Sequence, residues 1–161
     1  MRVVVQRVTR AAGRRAAGPA AADSTDAAAR GIGPGLVLLA GFRASDDDAT
    51  LRWMAEKCLA LRIFPDADGA LNRSVVDCSG ALLVVPNFTL YGDARKGRRP
   101  SFTRAAPPAQ ATELFTRFVA LLRAGPVPVE AGWFQAHMQV ELVNDGPVTL
   151  LLEHEPEAMA R

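Results

Sequence analysis

A run of positive charge stands out in the middle of the sequence. Five cations fall within residues 95–104, around Gly97 and Pro100. Such a density of arginine and lysine attracts phosphate groups. Because no aromatic run lies beside it, the pattern favours contacts with a nucleic-acid backbone over contacts with bases. Taken alone, the cluster is also typical of a solvated loop. Its members are Arg95, Lys96, Arg98, Arg99 and Arg104.

A hydroxyl group follows an apolar run of strand length. Thr89 lies in the segment Pro86-Asn87-Phe88-Thr89-Leu90, which we expect at the end of a strand. A threonine there can act as a nucleophile or orient a substrate. On composition alone, most strand-end threonines have only a structural role.

A third feature, Gly146-Pro147, stands between two predicted strands. Only about 5–6% of X-Pro bonds in folded proteins are cis. Composition by itself therefore favours an ordinary trans bond in a turn.

Motifs of common catalytic and cofactor sites are absent from the sequence. There is no G-x-G-x-x-G, P-loop, H-E-x-x-H or G-x-S-x-G pattern. Two histidines, His137 on a polar strand face and His154 near the tail, cannot build a histidine-rich metal site. Cys58 and Cys78 form no C-x-x-C pair, and the helical spacing around Cys58 predicts a buried thiol. We expect neither a metal nor a cofactor.

Composition indicates one ordinary globular domain. The 161 residues are 49% hydrophobic and 22% charged, which excludes a disordered or collagen-like chain. The net charge of +2 permits a polyanionic partner without requiring one. The longest apolar runs are far shorter than the roughly 18 residues of a membrane span, and there is no secretory hydrophobic region. We therefore expect a cytoplasmic protein.

Hydrophobic periodicity predicts two helices among several strands, an α+β fold with mainly antiparallel pairing. Ser45 and Asp48 have the spacing of a capping box before the first helix. Pro107-Pro108 precede the second helix, which ends near Arg123. The predicted strands are residues 2–8, 36–42, two short strands around the turn of LRIFPDADGALN, 81–90, 134–142 and 148–153.

Two segments show no clear period. Residues 11–30 are rich in alanine and punctuated by Gly13, Gly18 and Pro19, so we predict a flexible excursion. The tail 154–161 is expected to fray. Nothing else divides the chain, and residues 1–161 are predicted to form a single domain.

The motifs occur together in an order that resembles the D-aminoacyl-tRNA deacylases, also called D-tyrosyl-tRNA deacylases. The resemblance covers residues 1–10 and about 31–153. It rests on four segments: MRVVVQRVTRA, LRIFPDADGALN, VVPNFTLYGDARKGRRPSF and GWFQAHMQVELVNDGPVT.

The resemblance implies a barrel-like core of β-sheets with two helices and a homodimer with active sites at the subunit interface. It implies hydrolysis of the ester bond of D-aminoacyl-tRNA, and of glycyl-tRNA, without a cofactor. A cis Gly146-Pro147 pair from one subunit would enter the pocket of the other and exclude L side chains. The cationic loop residues Arg95, Lys96, Arg98 and Arg99 would meet the tRNA backbone.

The same resemblance assigns the remaining site residues. Phe88 and Thr89, with Asn87, would line the pocket for the terminal adenosine and the scissile ester. Thr89 would orient rather than attack, because backbone N–H groups can stabilise an oxyanion without a triad. The other implied positions are Pro86 and Asn87 at the start of the motif, Arg7 near the Gly-Pro pair, and Phe134 and Met138 in the pocket wall.

Two departures from the family pattern keep alternatives open. Pro86 and Asn87 stand where the family has Ser-Gln, and Asn87 is one methylene shorter than glutamine. The specificity could be shifted towards a small L-aminoacyl group. The chain could also be a catalytically inactive dimer that binds the tRNA end.

Overall fold

The computed structural model describes residues 1–16 and 29–155. Within these ranges it contains eight strands, two α-helices and one 3₁₀ helix, and no helix there could span a membrane. The strands are β1 (Arg2–Arg15), β2 (Arg30–Ile32), β3 (Gly35–Gly41), β4 (Phe64–Pro65), β5 (Leu71–Arg73), β6 (Ala81–Pro86), β7 (Val129–Ala131) and β8 (Met138–Glu153). The helices are α1 (Asp48–Ala60) and α2 (Pro108–Arg123), and the 3₁₀ turn covers Phe88–Tyr91.

The long strand β1 organises the main sheet. One edge of β1 pairs antiparallel with β3 and then with β2, and the other edge pairs antiparallel with β8. β4 and β5 form a separate hairpin. The second half of β1 and β2 pack back towards β6 and β7, which curls the sheet towards a barrel. The expected α+β fold with two helices is confirmed.

Two strand pairs are parallel, which refines the mainly antiparallel prediction. β3 pairs with β6, and β6 pairs with β7, both in parallel. Parallel neighbours need a long crossover; α1 lies in the first and α2 in the second. The carboxyl ends of β3, β6 and β7 therefore lie at one edge of the sheet.

Both faces of the central strands are buried, which explains their uninterrupted apolar runs. Alternate residues of β3 and β6 point to opposite faces. One set packs under the two helices: Leu36, Leu38, Leu82 and Val84, with Met54, Phe115 and Phe118 among their neighbours in this core. The other set fills the inside of the curled sheet: Val37, Leu83 and Val85 with Val8, Ala11 and Ile32.

Cys58 belongs to the helix-covered core, as predicted. Its side chain is fully buried. Burial in apolar surroundings raises the pKa of the thiol to about 12, because the thiolate would lose its hydration. This cysteine therefore packs rather than reacts.

Three predicted boundaries of elements were wrong. β1 continues to Arg15, so residues 11–15 are paired strand; residues 17–28 of the expected excursion lie outside the described residues. Helix α1 is capped by Asp47 instead of Ser45, because the Asp47 carboxylate accepts a 2.9 Å hydrogen bond from the Thr50 N–H. β8 begins at Met138 rather than at Phe134.

The chain after β8 is anchored at its first two residues rather than frayed. The His154 ring stacks on Trp53 at 4.4 Å, and the backbone N–H of His154 donates to the Met1 carbonyl. Glu155 forms ion pairs with Arg43 and Arg104. The rest of the predicted tail, residues 156–161, lies outside the described part of the chain.

Candidate active site

A cavity of about 530 Å³ lies at the sheet edge where the parallel strands end. Its walls come from the end of β6, the segment before α2, the start of α2, and the segment that leads into β8. Five of the predicted site residues line it: Pro86, Asn87, Phe88, Phe134 and Met138. The other lining residues are mostly apolar: Phe102, Thr103, Ala105, Ala106, Pro107, Pro108, Ala111, Trp133, Gln135 and Ala136.

Backbone hydrogen bonds tie the cavity walls to the parallel strands. The Asn87 N–H donates to the Ala40 carbonyl at 2.7 Å, and the Gly132 N–H donates to the Val84 carbonyl at 2.7 Å. The Trp133 N–H lies 3.3 Å from the Met138 sulfur. The walls are thus continuations of the strands, which is why the cavity forms at this edge.

The segment after Pro86 turns into a 3₁₀ helix. The predicted strand 81–90 ends four residues early, because the Asn87 N–H makes the last bond to β3 and Phe88–Tyr91 form the 3₁₀ helix. Phe88 is 57% exposed, and its ring packs edge-on against Phe102 at 5.1 Å. The turn therefore presents an aromatic face at the cavity wall.

Thr89 lies in this 3₁₀ turn, beside the cavity lining, and is bonded to Asn87. Its hydroxyl donates to the side-chain oxygen of Asn87. An amide oxygen is not a base, so it cannot remove the hydroxyl proton as a histidine or carboxylate would. This arrangement fits an orienting hydroxyl better than a nucleophile.

Arg7 and the Gly146-Pro147 pair form a second cluster, and none of the three lines the cavity of the same chain. The buried Arg7 guanidinium donates to the Ile63 carbonyl at 2.6 Å and to the Asp145 carbonyl at 3.1 Å. It also pairs with the Asp145 carboxylate at 3.1 Å. Gly146 and Pro147 themselves are exposed.

The Gly-Pro pair is a bulge within one strand, whereas we predicted a turn between two strands. Gln6 of β1 pairs with Thr149, and Val8 pairs with Asn144, so β8 contains more residues than β1 between these two pairs. The extra residues of β8 form the bulge. The Asn144 side chain closes the bulge by accepting from the Val148 N–H at 2.8 Å. The peptide bond between Gly146 and Pro147 is cis.

The cationic loop is closed at its base and exposed at its tip. Asp93 and Ser101 exchange two backbone hydrogen bonds. Arg95 donates to the Asp93 carboxylate and holds its pKa well below the usual range. Arg104 pairs with Glu155. Within residues 1–16 and 29–155, the remaining loop cations form no ion pair: Lys96, Arg98 and Arg99.

Comparison with known proteins decides the family. Residues 4–153 match the family described as D-Tyr-tRNA(Tyr) deacylase. The chain belongs to this deacylase family. The D-aminoacyl-tRNA deacylase of Carboxydothermus hydrogenoformans is 52% identical over 153 residues, which are 95% of this chain and 99% of that protein. That of Symbiobacterium thermophilum is 51% identical over 155 residues, which are 96% of this chain and 97% of that one.

Two solved structures are similar to the deacylase described here. One, titled c-Myc DNA Unwinding Element Binding Protein, superposes with a TM-score of 0.85 at 36% identity. The superposition covers 97% of this chain and 100% of that one. The other is titled as a probable eukaryotic D-amino acid tRNA deacylase. It has a TM-score of 0.76 at 19% identity over 94% of this chain and 97% of that one, which shows the shared fold.

The sequence did not predict two residues at the cavity wall of the deacylase, Trp133 in the lining and Arg30 behind it. Trp133 lines the cavity, and the Arg30 guanidinium lies 4.2 Å from its ring centre. Arg30 also donates to the Ala131 carbonyl. Arg30 is the last residue of the segment 11–30, which has no hydrophobic periodicity, so the sequence could not predict its contact with Trp133. The position of Trp133 next to Phe134 was the one signal that could have placed it in the cavity wall.

A larger depression of about 780 Å³ lies between α2 and β7 of the deacylase. Its lining includes Arg30, Arg123 and Glu130, but none of the predicted site residues. We therefore place the candidate site in the smaller cavity. Across the described residues, no cluster of histidine, cysteine and acidic side chains could hold a metal ion.

Proposed function

We propose that this protein hydrolyses the ester bond of D-aminoacyl-tRNA and releases the D-amino acid and the tRNA. Water adds to the ester carbonyl, the bond to the ribose oxygen breaks, and that oxygen takes up a proton. The observation that carries the proposal is about 50% identity over nearly the whole chain to D-aminoacyl-tRNA deacylases. Glycyl-tRNA is proposed as a second substrate, because it too lacks an L side chain.

The shape of the cavity supports this chemistry. An aminoacyl ester is already activated, so a site need only position water and stabilise the developing oxyanion. The cavity offers backbone and amide groups around Asn87, with an apolar wall suited to a nucleoside base. We propose that Pro86, Phe88, Phe134 and Met138 contact the terminal adenosine. As an enzyme of tRNA metabolism, it is proposed to act in the cytoplasm.

Release of amino acid from three substrates tests the function. Turnover of D-Tyr-tRNA and Gly-tRNA without turnover of L-Ala-tRNA is the expected result. Turnover of L-Ala-tRNA alone would replace the proposal with a deacylase of shifted specificity. Tight tRNA binding without any turnover would make the protein a binding module.

Removal of the Thr89 hydroxyl is expected to have a small effect. Because the Thr89 hydroxyl donates to an amide oxygen, which is not a base, Thr89→Ala should lower kcat on D-Tyr-tRNA by less than about tenfold. Loss of a nucleophile should lower kcat by on the order of several thousandfold. Single-turnover kinetics with Thr89→Ser as the matched control measure this. A thousandfold loss would assign Thr89 as the nucleophile.

We further propose a homodimer in which Gly146 and Pro147 of each subunit enter the other's cavity. The pair is exposed and does not line its own cavity, and the same strand exposes apolar side chains, Val143, Leu150 and Leu151. Sedimentation of a dilute sample should show the mass of a dimer. A monomer with full activity would contradict the composite site.

Binding of tRNA is expected to weaken as salt rises, because Lys96, Arg98 and Arg99 extend from the loop without internal partners among the described residues. Changing Arg98 and Arg99 to glutamine should flatten the slope of log Kd against log salt by up to about two. The matched control changes two exposed cations of α1, Arg52 and Lys57, in the same way. An unchanged slope in the loop variant would make this a solvated loop.

A further inference from the structure

Arg2, at the start of β1, connects the last strand to the 3₁₀ turn that carries Thr89. Its guanidinium pairs with the Glu153 carboxylate at 2.6 Å and donates to the Leu90 carbonyl at 2.9 Å. The same group lies over the Tyr91 ring, 4.8 Å from its centre. One side chain thus contacts both of the last two residues of the turn.

Tyr91 contributes its ring to this contact rather than its hydroxyl. It is 1% exposed, and among the described residues its hydroxyl has no hydrogen-bond partner. Burial raises the pKa of Tyr91, because the phenolate would lose its hydration. The hydroxyl therefore stays neutral, and the ring face supports Arg2 through a cation–π contact.

The 3₁₀ turn has little to hold it in place by itself. Its internal hydrogen bonds are few, and the bond from the Leu90 N–H to the Asn87 carbonyl is long, at 3.4 Å. No side chain caps its first residue. Short 3₁₀ segments have poor hydrogen-bond geometry, so their orientation depends on outside contacts.

Two contacts from outside the turn help to hold it in place. Gly41 of β3 allows the close approach on one side, because a Cβ there would lie 2.9 Å from the Asn87 carbonyl oxygen and 3.1 Å from the Leu90 Cβ. Arg2 contacts the last two residues of the turn, Leu90 and Tyr91. Removal of Arg2 would keep the close approach at Gly41 but take away these two contacts.

We infer that Arg2 is a positioning residue for deacylation, which holds the 3₁₀ turn so that Asn87 and Thr89 meet the substrate in one orientation. The inference rests on the proposed function. A displacement of about 1 Å at a reacting centre can lower a rate on the order of a hundredfold. A tilt of the 3₁₀ turn that displaces Asn87 and Thr89 by less than this should lower kcat by about tenfold. KM depends on the rest of the cavity and should change less than about twofold.

The test compares kcat and KM on D-Tyr-tRNA for Arg2→Met and Tyr91→Leu. Each should lower kcat by about tenfold with little change in KM, and the double variant should lose no more than either single one. Tyr91→Phe keeps the ring and should retain wild-type kcat. Arg10→Met is the matched control on the same strand, since Arg10 is exposed and its carboxylate partner, Glu141, is 3.8 Å away.

The outcomes separate the inference from the function on which it rests. No turnover by the wild-type protein would overturn the proposed function. Wild-type turnover with unchanged kcat in a folded Arg2→Met would overturn the inference alone. If Arg2→Met does not fold, Arg2→Gln decides, because glutamine stays polar but loses the charge on which the ion pair and the cation–π contact depend. A wild-type kcat in Arg2→Gln then overturns the inference, and a kcat lowered by about tenfold supports it.

Discussion

Gly146→Ala is expected to lower kcat/KM on D-Tyr-tRNA by about a hundredfold, the loss that misplacement of a site element by about 1 Å can cause. Gly146 has a φ of +130°, which alanine rarely adopts. The added Cβ would also lie 2.8 Å from Val148 Cγ2 and 3.0 Å from the Val148 nitrogen. The bulge would have to change shape, and with it the carbonyl groups that the proposed dimer places in the partner's cavity.

The measurement is the rate on D-Tyr-tRNA beside the rate on L-Tyr-tRNA. Gly33→Ala is the matched control, because a Cβ there would meet nothing within 4 Å. Circular dichroism and sedimentation separate a changed site from a lost fold or dimer. If Gly146→Ala leaves both the D-rate and the rejection of the L-substrate unchanged, the Gly146-Pro147 bulge is not the chiral filter.

Arg7→Met is expected to lower the free energy of unfolding by about 2–4 kcal/mol, since it leaves the buried Ile63 carbonyl and the partly buried Asp145 carbonyl without their donor. The Arg7 side chain is 9% exposed and holds the Ile63 and Asp145 carbonyls together with the Asp145 carboxylate. Methionine fills part of the space but donates nothing. Urea denaturation at fixed protein concentration measures the loss.

Arg10→Met serves again as the control for Arg7, because it removes an exposed cation from the same strand. Its effect should stay below about 0.5 kcal/mol. The Arg7 variant should also lose activity under conditions where it remains folded, since Asp145 precedes the bulge. A loss of stability no larger than that of Arg10→Met would mean that the buried contacts of Arg7 are replaced by water.

The sequence predicted the helices and strands better than it predicted which strands pair in the sheet. The apolar stripe of α2 and the Pro107-Pro108 start identified that helix to within about one residue, because both signals are local. The parallel pairing of β3 with β6 and of β6 with β7 could not be read from periodicity, which reports the buried faces of a strand but not its neighbours.

The residues of the candidate site likewise fall into those that the sequence predicted and those that it did not. Residues in continuous motifs, such as Pro86, Asn87 and Phe88, were found and line the cavity. Phe102 and Trp133 line the same cavity, but they come from distant segments whose convergence depends on the tertiary fold. The end of β6 was missed because Phe88 and Thr89 favour a strand by propensity, whereas the chain there forms a 3₁₀ turn in which the Gly92 N–H donates to the Thr89 carbonyl at 2.9 Å.

The ladder between β1 and β8 has a consequence for the order of folding. It joins Arg2 to Glu153 and Arg15 to Met138, so its contacts span most of the chain. Pairings of such long range close large loops and form slowly. During synthesis, Arg7 emerges long before Asp145, and one edge of β1 stays open until β8 has left the ribosome. During synthesis, the bulge that carries Gly146 can therefore form only after β8 has emerged, so a chain released before that point lacks the proposed chiral filter.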